Sequence, residues 1–129
     1  MKFIIEDKEV NLSFNKIIEA TDEEFKNLQL NKENNYNFFI SLTNQETGEV
    51  INGLLDSKEG FRVNNIPIGT YIIEEQNDIW FHFVSMAFME PIEGIELRKE
   101  NGAYIITIGA SVESGATVNI ELTNRPDDE

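Results

Sequence analysis

The sequence predicts an all-β sandwich. Three observations carry that reading. Apolar and polar residues alternate with a period of two through many short segments. Clusters rich in Asn, Gly, Pro, Ser and Glu separate many of those segments. Only one stretch carries a helix-start signal. Many short strands with frequent turns bury one face each against a second sheet. With 129 residues and 40% hydrophobic side chains, nine of them Phe, the chain suits one domain with a real core, residues 1–129 with the core over about 10–125.

The strands are expected at 3–5, 10–18, 36–43, 50–54, 60–63, 71–75, 79–86, 95–98, 103–108 and 117–123. The stretches Asn44-Gln-Glu-Thr-Gly48, Ser57-Lys-Glu-Gly60, Pro67-Ile-Gly69, Lys99-Glu-Asn-Gly102 and Glu113-Ser-Gly115 supply turns between them. Thr21-Asp-Glu-Glu24 has the form of a capping box, with Thr at the N-cap and Glu three residues on. It predicts a short helical segment near 21–29, with Phe25 and Leu28 packing one side. Residues 31–35 read as a polar loop and 126–129 as a frayed tail or linker stub.

Composition narrows the function. The formal net charge is −14, which opposes binding to nucleic acid or anionic membrane. Cysteine is absent, so neither disulfides nor thiolate metal sites are available. No Asp-x-Asp-x-Asp-Gly loop, phosphate-cradling glycine loop or Gly-x-Ser-x-Gly elbow is present. A lone His82 supports neither a metal site nor a triad. No cofactor and no metal are expected. No run approaches the roughly 20 apolar residues of a membrane span, and the first residues lack the apolar core of a signal peptide. The chain is read either as intracellular or viral as it stands, or as a domain excised from a longer secreted protein.

Three polar residues break the apolar pattern on its buried side. In the first long strand the apolar phase runs Val10, Leu12, Phe14, Lys16, Ile18. In the last it runs Val118, Ile120, Leu122, Asn124. One phase of the 71–75 strand is Tyr71, Ile73, Glu75, which leaves Glu74 for solvent. An amine, a carboxamide and a carboxyl are thus aimed at the interior. Lys and Glu are almost never buried unless paired. Plainer readings exist for each: Lys16 snorkels from a strand end, Asn124 closes a strand, and Glu75 makes an ordinary ion pair.

The segment Phe61-Arg-Val-Asn-Asn-Ile-Pro-Ile-Gly-Thr-Tyr-Ile-Ile-Glu-Glu75 resembles the signature of Cna-B-type domains, the prealbumin-like modules of Gram-positive adhesins and pilins. Leu12-Ser-Phe-Asn-Lys16 is similar to the first strand of that family, and Ile120-Glu-Leu-Thr-Asn124 to its last. The likeness covers about residues 10–125. It departs from the family's pattern after Glu75, where the usual Ala-Pro-x-Gly-Tyr is missing. The resemblance implies a prealbumin-like or Ig-like sandwich. It also implies a self-formed isopeptide bond with Lys16 as amine donor, Asn124 as acyl donor and Glu75 as the catalytic carboxyl. A crosslink of this kind forms once, so the chain is not an enzyme in the sense of turnover.

Burial makes such chemistry reasonable. An amine in a dry interior loses its charge more readily and becomes a nucleophile. A neutral carboxyl can polarise an amide carbonyl and pass protons to a leaving amine. Folding replaces a bimolecular encounter with effective molarities that reach roughly 10⁵ M or more.

The expected function is therefore a structural or adhesive module of a bacterial surface protein or pilus. Its partners are neighbouring domains of the same assembly, and its place is the cell wall or surface. Two alternatives are kept. One is a ligand-binding adhesin module that uses the aromatic stretch 80–89, with Trp80, Phe81 and Phe83 as the patch for a partner or host ligand. The other is a phage or virion decoration domain.

Overall fold

The structure is a computed structural model and describes residues 8–76 and 78–127. The strand expected at 3–5 lies outside the described residues. The elements run β1 (Glu9–Ile18), α1 (Asp22–Asn27), β2 (Asn37–Asn44), β3 (Val50–Asp56), β4 (Phe61–Pro67), β5 (Gly69–Glu75), β6 (Phe81–Phe88), β7 (Ile95–Glu100), β8 (Ala103–Ile108) and β9 (Thr117–Pro126).

The strands form two sheets, β4-β1-β9-β6 and β3-β2-β5-β8-β7. Period-two burial explains the layering. Val10, Leu12 and Phe14 of β1 face inward with Val118, Ile120 and Leu122 of β9. They meet Phe38, Ile40 and Leu42 of β2 and Tyr71 and Ile73 of β5 from the other sheet. Each fully buried side chain of this size contributes roughly 1.5–3 kcal/mol relative to its exposed state.

One pairing positions the site. β1 and β9 are neighbours and run parallel, whereas the other strand pairs among the described residues are antiparallel. The register sets Leu12 beside Val118, Lys16 beside Leu122 and Ile18 beside Asn124. Lys16 and Asn124 thus sit on one face of one sheet, offset by two residues. Two residues of parallel strand span about 6.6 Å, a gap that the four-carbon stem of lysine can bridge.

α1 begins at the predicted place. Thr21 Oγ1 accepts from the Glu24 amide at 3.1 Å, and Glu24 Oε1 accepts from the Thr21 amide at 3.0 Å, so the capping box is complete. The helix is short because Leu28 already closes it as C-cap. Phe25 is its buried residue, and Leu28 is only half-buried.

β4 runs on to Pro67, past its expected end at 63, and β6 also departs from the sequence reading. The strand starts at Phe81, because Ile79 and Trp80 form a bend. Asp78 Oδ2 accepts from the amides of Trp80 (3.0 Å) and Phe81 (3.3 Å) and so holds that bend. A bulge between Phe83 and Ser85 then resets the alternation. Phe81 and Met86 are both buried as a result, five positions apart, which unbroken alternation would forbid.

Candidate functional site: a buried amine, amide and carboxyl

Lys16, Glu75 and Asn124 converge in the interior. β1 and β9 bring Lys16 and Asn124 together within one sheet, and β5 presents Glu75 from the other. Lys16 Nζ donates to Glu75 Oε1 and to Asn124 Oδ1. Asn124 Nδ2 donates to Glu75 Oε2 at 2.8 Å. The three groups close a ring of hydrogen bonds, with one carboxyl oxygen facing the amine and the other facing the amide nitrogen. The site is dry: the side chains of Lys16 and Glu75 are 0% and 2% exposed, and Asn124 is fully buried. Every buried polar side-chain atom among the described residues has a partner.

Burial is the largest influence on Lys16 and lowers its pKa from the ordinary lysine value. Glu75, by its charge and hydrogen bond, pulls the other way, as does the charge of Asp78, but burial wins. Beside the amine lies the ring of Phe38, with Nζ 4.3 Å from its centroid. An aromatic face tolerates a cation yet offers no hydrogen bond to replace water.

Strand phase resolves the two adjacent acids as expected, since Glu74 is exposed and Glu75 points inward. Two open clefts, of about 330 and 350 Å³, flank Glu75. The first is lined by Phe39, Ser41, Asn52 and Glu74, the second by Phe83, Met86 and Tyr104.

The expected aromatic patch needs correction. Phe81 is 1% exposed and belongs to the core, because the Asp78 bend turns it inward against Phe38 and Tyr36. Phe83 is half-buried and meets Tyr104 edge-on at 5.7 Å. Trp80 alone of the three keeps substantial exposure, 38%, beside the largely exposed Ile79. His82 pairs with Asp127 at 2.9 Å on the surface and makes no hydrogen bond to Lys16, Glu75 or Asn124. No cluster of metal-ligating side chains occurs among the described residues, and no helix there is long and apolar enough to cross a membrane.

Sequence reasoning missed two contributors. Phe38 lies in phase with Ile40 and Leu42, so its burial was legible, but its place beside Lys16 depends on how the sheets stack. Asp78 precedes Trp80 by two residues, the spacing of an Asx turn, and that was the available signal.

No protein-family model matches this chain, and no curated protein matches it. Solved structures do. A bacterial adhesin from Mobiluncus mulieris, containing intramolecular disulfide, isopeptide and ester bond cross-links, aligns with 92% of this chain at 20% identity and a TM-score of 0.63. The same adhesin in a second space group gives 0.52. The major pilin of Streptococcus pyogenes aligns with 92% of the chain at 15% identity, but its TM-score of 0.44 is too low to carry weight. This chain spans 41% of the adhesin and 48% of the pilin. The likeness at these identities is one of fold: a β-sandwich shared with an adhesin domain.

Proposed function

We infer that the chain is a structural module of a bacterial surface protein or pilus, and that Lys16 and Asn124 join covalently with Glu75 assisting. The observation that carries this reading is the bridging carboxyl. Oε1 faces the nitrogen that must lose a proton, and Oε2 faces the nitrogen that must leave with one. Moving one proton from Nζ to Oε1 removes two charges from a dry site, which burial favours. The neutral amine then attacks the Asn124 side-chain carbon. A bond forms from Nζ to that carbon and the bond from the carbon to Nδ2 breaks. Glu75 passes its proton to Nδ2, takes the second proton that Nζ sheds as it becomes an amide nitrogen, and yields that proton to the departing ammonia, which restores the carboxylate. Ammonia leaves, and the cleft beside Phe83 and Tyr104 adjoins Glu75. Glu75 ends as it began, so it is the catalytic residue, whereas Lys16 and Asn124 are consumed.

The consequence is mechanical and thermodynamic. The bond links positions 108 residues apart on the first and last described strands. A crosslink closing about 100 residues is worth roughly 4.7 kcal/mol in the chain-entropy model. It ties together the two strands nearest the described ends of the chain, as a module under tension in a fibre requires. The sandwich shared with a Mobiluncus adhesin supports the surface setting. Neighbouring domains of the same assembly are then its partners, and the cell surface its location.

Intact mass tests the reading. The folded chain is expected to weigh one ammonia less than its sequence, with Lys16→Ala, Asn124→Ala and Glu75→Gln each at full mass. A wild-type chain at full sequence mass would overturn it.

A further inference from the structure

A path of aromatic rings leads from the short helix to the reacting amine. Phe25 of α1 meets Tyr36 at 6.3 Å and Phe81 at 6.1 Å between ring centroids. Tyr36 also meets Phe81 at 5.6 Å and Trp80 at 6.3 Å. Phe81 meets Phe38 at 6.0 Å, and Phe38 lies against Lys16 Nζ. Aromatic pairs at such separations hold one another in place beyond their share of buried area.

Three devices fasten this layer. The capping box starts α1. Arg125, the residue after Asn124, pairs with Glu19 at 3.1 Å and with Glu24 at 3.5 Å, so β9 grips the helix beside the site. Asp78 holds the bend that delivers Phe81. None of these side chains bonds to Asn124 or Glu75. They have no part in the proton transfers, and yet the fastenings converge on this end of the sandwich.

We propose that α1 with the rings of Phe25, Tyr36 and Phe81 forms a roof that keeps water from Lys16 and so sets the rate of crosslinking, with Phe25 as its positioning residue. The proposal rests on the crosslinking reading above. The charged groups acting on Lys16 are Glu75 on β5 and Asp78 before β6. Around the roof, α1 itself carries Asp22, Glu23, Glu24 and Lys26, Arg125 pairs with Glu19 and with Glu24, and His82 on β6 pairs with Asp127. Truncating Phe25 therefore admits water without altering any charge. A solvated amine keeps its proton to higher pH, and each pH unit of that change leaves about tenfold less neutral amine.

The test follows ammonia loss by intact mass after the full chain, captured in denaturant directly after synthesis, is folded by dilution at a series of pH values. Phe25→Ala is expected to react about tenfold more slowly near neutral pH, with the midpoint of its rate profile moved to higher pH. Phe25→Leu, which refills the space, restores both. Thr21→Ala weakens the helix cap without touching a ring and gives a smaller effect of the same sign; it decides the matter if Phe25→Ala does not fold. A folded Phe25→Ala, or failing that Thr21→Ala, that crosslinks at the wild-type rate with an unmoved midpoint overturns the roof. In that outcome the crosslink reading stands. A wild-type chain that never loses ammonia sinks both.

Discussion

Lys16 with Glu75 and Lys32 with Asp22 are the same pair of functional groups in two environments. The second is a surface pair at 2.8 Å, with side chains 53% and 81% exposed. Its hydrogen bond to Asp22 raises the pKa of Lys32, so the amine holds its proton more firmly than a free lysine. Around Lys16 the sign is reversed, because burial outweighs the carboxylate and lowers the pKa. A carboxylate beside an amine makes an ion pair in water, but a proton-transfer partner where water is excluded. The third group completes the contrast: Asn124 gives the buried amine something to attack, and nothing comparable sits at Lys32.

The comparison breaks most sharply at the crosslink. Lys16→Ala or Asn124→Ala is expected to lower stability by about 4.7 kcal/mol through loss of the closed ring. For a chain of this size that is on the order of 15–20 °C in melting temperature, readable by calorimetry. Leaving the other partner buried and unpaired adds to the loss. If both variants melt with the wild type, the buried pair is no more than a satisfied polar cluster.

Glu75→Gln separates chemistry from packing. The amide fills nearly the same space but cannot carry a proton between the two nitrogens. Crosslinking should slow by roughly a hundredfold or more, the usual contribution of a positioned acid–base group. Intact mass against time after folding measures it.

Titration of the amine sharpens the contrast further. In an uncrosslinked chain the folded Lys16 gives up its proton at a pH where the unfolded lysine still holds it. The unfolded chain then binds more protons, so stability rises with pH between the lowered value and the ordinary one near 10.5. Below that window the penalty for burying Lys16 is felt in full. Asn124→Ala should therefore gain stability with rising pH relative to Lys16→Met/Asn124→Ala, measured by denaturant unfolding across that range. The wild type should show no such gain, since an amide nitrogen does not titrate.

The smallest effect is expected at the surface pair. Lys32→Ala and Asp22→Ala should leave the melting temperature and the ammonia loss unchanged, because solvent replaces what each removes. A drop comparable to that of Lys16→Ala would show that exposure does not separate the two pairs.

Much of this site was legible one strand at a time. Lys16, Glu75 and Asn124 each stood in an apolar phase, and alternation with period two is a local property that the chain carries wherever its strands go. The capping box at Thr21 was legible for the same reason, since both its hydrogen bonds close within four residues. The phase of β6 was not, because a bulge after Phe83 shifts it and is set against β9, whereas the bend held by Asp78 before it is local and closes within three residues.

Local alternation sets which side chains of an unbroken strand share a face, because that follows from the pleat. It also sets an amine, an amide and an acid in phase with apolar side chains. That the three groups meet is a matter of long-range packing. The parallel pairing of β1 with β9, the two-residue offset between Lys16 and Asn124, and the approach of Glu75 from the facing sheet are relations between segments far apart in the chain. Such relations arise from packing two sheets around one core, and no local pattern encodes the distance between them.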